Sequence, residues 1–555
     1  MKIRETASCI ADKTVNYFTV CAESARREFK SFFDYIKNNY LFITISCAVF
    51  LVVYSSWIAG VYPRIDNDSW INNPNTTYNW LYIGRQGGIL TKKLFGLLYL
   101  NPTLATTLGY LVVCLAGLLF GYLFWRCSLR SGWACACFWL PMFLSPIFAE
   151  QFYFDSQIFE IAFAFVLAAA GVGLCLYGAF RRSYTALFLS FLAQSWAIAT
   201  YQSYAFLIFA MLLFCFAMLY RKRTVCGGDV RVKEYVSALL ISAIVFFAAA
   251  IIYTVTTLLW FYGSAYGDAR FSWKTESFSQ CIENILTHVK NGLLGEGIFY
   301  SWLYLVFAIL CAGTAVLDAV RSKQKLGILN VALVVAMQFS PFLLTVLFGG
   351  IITIRAQFTY SFVFAADMLY MICRDWKIAV RSSARFNFGF VFIFLSFVAL
   401  FSQINITCRL IYTDNLRSQE DVRFATMLER DLKEISSEEK PLAIIGIMRP
   451  NLNKSCVYGE LIGLSMFEYC YSIEPRYVSS TWTACSVMTT MGFPFTTAGE
   501  ENIYNARIYA RDNDMPNYPA EGSIQDMGDY IIVKLSDDEF VNELPPENAE
   551  DPASE

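Results

Sequence analysis

Long apolar runs separated by short polar turns dominate the first 405 residues. The runs lie near 41–60, 103–125, 133–149, 157–179, 184–200, 204–220, 236–262, 298–317, 327–347, 357–373 and 387–405. Each is close to the roughly 20 apolar residues that one helical crossing of a bilayer needs, so the pattern predicts about eleven transmembrane helices. The weakest break is "ATYQSYAF" from Ala199, which interrupts an otherwise overlong run. Before residue 41, Phe29, Phe32, Phe33 and Ile36 recur at helical spacing, with Arg26, Arg27, Lys30 and Lys37 at other positions. That pattern predicts an amphipathic cytoplasmic segment over 1–40 lying in the lipid headgroups, or a plain solvated helix leading into the first span. The first 40 residues are too polar for the apolar core of a cleavable signal peptide.

After residue 406 the pattern changes. Residues 406–535 are far more polar and predict a small α/β domain, with a helix from Gln419 to Ile435, a strand "PLAIIGI" from Pro441 and a late strand "DYIIVKL" from Asp529. Residues 536–555 contain eight acidic and no basic side chains, with several prolines, a composition that predicts a disordered tail. The expected fold class is thus mainly α, a polytopic membrane domain over 41–405 followed by a C-terminal α/β domain. No internal repeat points to a transporter of two related halves.

Composition narrows this further. The chain is 56% hydrophobic and 16% charged, against about 25% charged in ordinary soluble domains, which excludes a soluble enzyme. The net charge of −2 combines a mildly basic body with the acidic tail. With a cytoplasmic N-terminus, every turn on that side is basic: Arg126 and Arg130; Arg181 and Arg182; Arg221 to Lys233; Arg321 to Lys325; Arg374 to Arg385. The opposite turns near 150–156 and 201–203 have no Lys or Arg, so the charge bias sets the orientation. Segments 61–102, 263–297 and everything after 406 then face outward, and function is expected there. Many of the 17 cysteines, among them Cys47, Cys114, Cys135, Cys137, Cys175, Cys215 and Cys311, lie in apolar runs as small hydrophobes. For Cys408, Cys456, Cys470 and Cys485 in the outer part, spacing does not set any pairing.

The first outer loop, "YPRIDNDSWINNPNTTYNWLYIGRQGGILTKKLFG" from Tyr62, follows the first span at once. Asp66 and Asp68, at i and i+2 in an irregular segment, can point at one reacting centre as general base and orienting group, or share a divalent cation. The bland alternative is turn formation. Trp70, Tyr78, Trp80 and Tyr82 suit stacking on sugar rings or anchoring at an interface. Arg85, between glycines, suits a lipid phosphate or an interfacial contact; Lys92 and Lys93 read as snorkelling at the membrane edge. In the second turn Glu150 and Asp155 either bind sugar hydroxyls or are solvated at the interface, and Glu160 lies deeper. Tyr201 and Gln202 sit on a re-entrant turn facing a cavity, or in a tight helical hairpin. Arg355, the lone charge of its outer turn, points to an anionic partner or to interfacial anchoring. His288 is the only histidine, a surface position, which removes histidine triads and His-rich metal sites. There is no G-x-x-x-x-G-K-[ST] sequence for an ATP-driven pump.

The order of these parts resembles the bacterial and phage glucosyl transferase II family, the serotype-converting O-antigen glucosyltransferases. A first span leads at once into "RIDND". Then come "NWLYIGRQGG", a "TYQSY" turn, an outer "ITIRAQF" and a last span running into "YTDNLRSQEDVRFATMLERDLKEI". "AIIGIMRPN", "ELIGLSMFEY" and "SVMTTMGFPF" resemble that family's C-terminal portion. The resemblance implies a GT-C type glycosyltransferase of the bacterial inner membrane. It would transfer glucose from a polyprenyl-phosphate donor to a lipid-linked O-antigen repeat on the outer side. It implies Asp66 or Asp68 as catalytic base and Arg85 and Arg355 at the donor phosphate; position as much as resemblance puts Glu150, Tyr201 and Gln202 around the sugar and acceptor, where Trp70 is suited to stacking. A donor flippase and a donor synthase are the implied partners, with membrane lipids and no nucleic acid. No cofactor or metal is expected, although the D-x-D pattern leaves room for a divalent cation. The competing readings are a polyprenyl-phosphate hexosyltransferase acting on a wall polymer, a polysaccharide transporter, and a glycan-binding membrane partner. A transporter predicts charges inside the spans, whereas the charges here gather at the turns.

Overall fold

The computed structural model describes residues 2–60, 63–73, 76–128, 131–225, 231–261, 271–322, 324–374, 377–381, 384–436, 439–469 and 477–538. The tail beyond 538, Cys470, Lys323 and the side chains of 1–22, Tyr78, Lys377, Arg381 and Arg385 lie outside this description. The described chain is 74% helical, mainly α, and polytopic. Among the described residues, eight helices are long and apolar enough to cross a membrane. A ninth span arises if Gly132–Phe143 and Pro146–Phe152, which meet at 65°, are one. The other two predicted spans form the shorter helices Tyr184–Thr200 and Phe358–Ile372, of 17 and 15 residues. The first is cut short by Tyr201, whose backbone is extended. The second follows a 3₁₀ turn at Ile354–Ala356 and is buried from Phe358 to Met371, at the heart of the bundle.

The N-terminal segment is not set apart from the first span, since Lys2–Val53 is one unbroken helix. Glu28 of this helix meets Arg126 at 2.9 Å. The basic turns gather at one end. Arg221 and Arg374 share Asp318 at 2.9 and 3.1 Å, and Lys222 donates to the Arg126 carbonyl at 2.6 Å. Two charges do lie inside predicted spans: Glu160, in the first turn of Ile158–Arg181, and Asp367, which is fully buried in Phe358–Ile372 and accepts from Gln338 Nε2 at 2.7 Å.

The opposite end holds the loops that matter for function. The stretch 63–102 is not irregular but folds into short helices at Asn67–Asn72, Thr76–Tyr82 and Gln86–Phe95. The last of these stops at Gly96 with φ 71°, and the next span starts where the Asn101 side chain accepts from Leu104 N at 3.0 Å, with Pro102 in the first turn.

The final helix, Gly389–Ile435, runs 47 residues, about 70 Å, and so carries the chain well beyond a bilayer into the C-terminal domain. There Leu442–Ile445 pairs in parallel with Ile531–Lys534, which pairs antiparallel with Ile524–Asp526. Period-two alternation splits this sheet between two cores. Leu442, Ile444, Ile531 and Val533 pack on Leu428, Leu432 and Met488. Ala443, Ile445 and Ile532 pack on Ile503, Ala506 and Ala510 of the helix Glu500–Asp512. Cys408, Cys456 and Cys485 are free thiols.

A candidate glycosyl-transfer site on the loop face

Five consecutive residues, Tyr153 to Gln157, each receive a cation from elsewhere in the chain. The Tyr153 hydroxyl accepts from Arg417 Nη2 at 3.3 Å. The Phe154 ring carries the Arg355 guanidinium 4.7 Å from its centroid. Asp155 pairs with Arg64, the Ser156 carbonyl accepts from Lys92 Nζ at 2.6 Å, and Gln157 Oε1 accepts from Arg85 Nη1 at 3.0 Å. Because this turn joins Pro146–Phe152 to Ile158–Arg181, it is fixed at both ends by the bundle. Behind it lies a buried network in which two guanidiniums face three carboxylates. Arg64 also reaches Asp414 at 3.3 Å, and Arg417 pairs with Asp414 and, at 3.0 Å, with Asp421. Asp421 also accepts from the Ser465 hydroxyl at 2.7 Å, which ties in the C-terminal domain. Burial raises the Asp155 carboxyl and Arg64 beside it pulls back, leaving it above the ordinary value.

The structure brings Arg85, Tyr201, Gln202 and Trp70 into one neighbourhood. The Arg85 guanidinium lies 4.8 Å from the Tyr201 ring centroid and 5.4 Å from that of Trp80. Gln202 Nε2 donates to the Ile83 carbonyl at 2.9 Å. Tyr201 and Gln202 therefore form a tight connection between Tyr184–Thr200 and the helix from Tyr204, with its side chains turned onto the first loop. Gly87 makes this approach feasible, because a Cβ there would stand 2.6 Å from the Trp196 carbonyl oxygen and 2.7 Å from Thr200 N. Trp70 is 1% exposed and stands edge-to-face on Trp80, ring centroids 4.9 Å apart. Lys92 is a correction to the snorkelling expectation. It is buried, pairs with Glu160 at 3.2 Å and lies 4.7 Å from the Trp70 ring, while Lys93 is exposed. Apolar spacing alone does not reveal the buried carboxylate that makes this burial affordable.

Asp66 and Asp68 differ in their surroundings. Asp66 is half-buried and holds φ 68°, the left-handed region that Asp tolerates better than most residues, and its carbonyl accepts from Trp70 N at 3.2 Å. Asp68 is 7% exposed; burial raises its carboxyl, and a hydrogen bond from Ser486 in the helix Tyr477–Thr490 partly offsets this. Asn72 fixes the same contact, donating to the Ser486 carbonyl at 3.1 Å and to the Thr490 hydroxyl at 2.9 Å.

Glu150 is fully buried and accepts from Glu460 N at 2.6 Å and from Leu461 N at 3.3 Å. Beside it, Gln151 is fully buried with neither amide atom hydrogen-bonded. Arg355 is half-buried on its 3₁₀ turn. That turn is held by Gln357, whose Oε1 accepts from the Tyr300 hydroxyl at 2.5 Å and lies 3.0 Å from His288 Nε2. His288 is thus buried rather than superficial, and burial drives its pKa down to about 4, so it is neutral. Sequence reasoning passed over Arg64, Gln157, Asp414, Arg417 and Asp421. The last three were detectable, since i, i+3 and i+7 put them on one helix face where the final span leaves the apolar region.

Chemically, this face combines a half-exposed carboxylate at the bilayer margin with guanidiniums held over aromatic rings, a set suited to activating a hydroxyl and receiving a phosphate. The family model described as glucosyl transferase GtrII matches residues 56–371, more than half of the 555. The chain belongs to that glucosyl transferase GtrII family. It is a multi-pass membrane glucosyltransferase, and the matched segment contains Asp66, Asp68, Arg85, Glu150, the 153–157 turn, Tyr201 and Arg355. No curated protein and no solved structure matches the chain. The GtrII match ends at the close of Phe358–Ile372, before the last long helix and the C-terminal domain.

Proposed function

We propose that this GtrII protein transfers glucose from a polyprenyl-phosphate donor to a hydroxyl of a lipid-linked surface polysaccharide, on the outer side of the bacterial cytoplasmic membrane. The observation that carries the reading is the seating of Arg85 and Arg355 on one turn, at Gln157 and Phe154. Two guanidiniums seated on one turn suit a lipid phosphate leaving group. The basic turns at the far end support a cytoplasmic N-terminus and an outward-facing site.

Asp66 is the base in this reading, because it is half-exposed where Asp68 is buried against Ser486. Its carboxylate takes the proton of the acceptor hydroxyl as that oxygen attacks the anomeric carbon. The bond from that carbon to the phosphate oxygen breaks, its electron pair leaves with the polyprenyl phosphate, and the arginines stabilise the departing charge. A single displacement inverts the anomeric configuration. Asp68 orients the loop, and Glu150, Tyr201, Gln202 and Trp70 shape the sugar and acceptor pocket. No metal is required. A flippase and a donor synthase supply the lipid-linked glucose.

The test is transfer by detergent-solubilised protein from polyprenyl-phosphate glucose to a lipid-linked repeat unit. Product formed by the wild type, with weaker donor saturation in Arg85→Gln and Arg355→Gln, is the expected result. Transfer from a nucleotide sugar, or no transfer, would overturn the reading.

A further inference from the structure

The C-terminal domain lies outside the GtrII match, yet its turn at Gly459–Leu461 enters the site described above. Leu461 and Ile462, 2% and 0% exposed, belong to the core of the membrane bundle rather than to the domain's own cores. The turn closes on itself through Gly459 N and the Ile462 carbonyl at 2.9 Å, and Val457 N ties it to Thr413 of the last helix at 2.9 Å. Its backbone grips Glu150, through Glu460 N at 2.6 Å and Leu461 N. Gly459 allows the approach, because a Cβ there would fall 1.8 Å from Glu150 Oε1. The Glu460 side chain then crosses to the other wall, where its Oε2 accepts from Ile354 N at 2.6 Å, the first residue of the 3₁₀ turn that carries Arg355.

One short turn thus holds two groups of the site that belong to separate parts of the chain. We infer that Glu460 is a positioning residue for Arg355, so that the C-terminal domain sets donor affinity instead of standing apart from the transfer reaction. This rests on the reading of Arg355 as a phosphate contact. The carboxylate acts as an acceptor for a backbone N–H at a fixed reach. A glutamine carbonyl can replace it, whereas alanine or the shorter aspartate cannot.

The experiment measures donor KM and kcat with polyprenyl-phosphate glucose for wild type, Glu460→Ala, Glu460→Asp, Glu460→Gln, Arg355→Gln and the double variant Glu460→Ala/Arg355→Gln. A rise in donor KM of about tenfold is expected for Glu460→Ala and Glu460→Asp, the worth of one charge-assisted hydrogen bond, with kcat nearly unchanged. Glu460→Gln should restore most of it, and the double variant should be no worse than Arg355→Gln alone. Unchanged KM in Glu460→Asp, or effects of Glu460→Ala and Arg355→Gln that simply add, would overturn the inference. If Glu460→Ala does not fold, Glu460→Asp against Glu460→Gln decides the matter. A wild type that makes no product with this donor overturns the functional reading beneath it, and that result is distinguishable from a failure confined to the Glu460 variants.

Discussion

Arg85 and Gln157 meet at 3.0 Å, Nη1 donating to Oε1, and this bond joins the first loop to the turn on which Arg355 also rests. The Tyr201 and Trp80 rings, with their centroids 4.8 and 5.4 Å from the guanidinium, orient it further.

Arg85→Gln is therefore expected to raise donor KM by about ten- to a hundredfold, in line with one or two lost charge-assisted hydrogen bonds. Arg85→Lys keeps the charge but not the planar fork and should recover only part. Steady-state kinetics at varied donor concentration is the check, and a Lys variant equal to wild type would speak against a geometric role.

The Arg64–Asp155 pair predicts a stability effect of a different kind. Both side chains are buried, so Arg64→Met leaves Asp155 uncompensated and should cost about 3–5 kcal/mol. The double variant Arg64→Met/Asp155→Leu should regain most of that loss, since it removes both charges. Thermal unfolding of detergent-solubilised protein reads this directly, and a double variant less stable than Arg64→Met would contradict it.

Which parts of this were legible in the sequence follows from the range of the forces involved. The apolar runs are local, and every one is helical, the run 133–149 in broken pieces, because a long apolar run dictates both the environment and the backbone pairing. The bounds of the short helices Tyr184–Thr200 and Phe358–Ile372 were legible to within a residue, but the complete burial of the second was not, since it depends on what packs around it. Asp66, Arg85 and Arg355 stood out as charges at apolar margins. Their companions Gln157 and Glu460 did not, because an uncharged amide in a turn and a glutamate in a polar domain look ordinary until tertiary structure brings them to Arg85 and Ile354. Lys92 misled for the same reason, its partner Glu160 lying 68 residues on in the chain.

Close packing at Gly87 predicts a sharp contrast between two glycines. Gly87→Ala drives a methyl against the Trp196 and Thr200 backbone, at 2.6–2.7 Å, and should sharply reduce the folded fraction. Gly96→Ala meets nothing within 4 Å and bears only the strain of φ 71°, about 1 kcal/mol. Comparable yields of monodisperse protein from the two variants would refute the packing argument.

Asp68 predicts a pH dependence of stability. Burial raises its carboxyl in the folded state, so the fold binds that proton more tightly than the unfolded chain does. The stabilisation this gives is complete below the unfolded value near 4 and is lost as pH rises through the folded value. Melting temperatures measured from pH 4 to 8 should therefore fall for wild type relative to Asp68→Asn as pH rises. A constant difference across the range would contradict the assignment.

The most direct test of the central claim is the mass of the surface polysaccharide repeat unit from cells carrying the wild type, no copy, Asp66→Asn or Asp68→Asn. Asparagine tolerates the left-handed backbone at position 66, so that substitution removes the carboxylate while sparing the turn. One added hexose per repeat with the wild type, and none with Asp66→Asn at equal membrane abundance, is the predicted result. A full hexose with Asp66→Asn would contradict a first-loop base at that position, and an unchanged mass with the wild type in a host that supplies the donor would contradict the glucosyl-transfer reading itself.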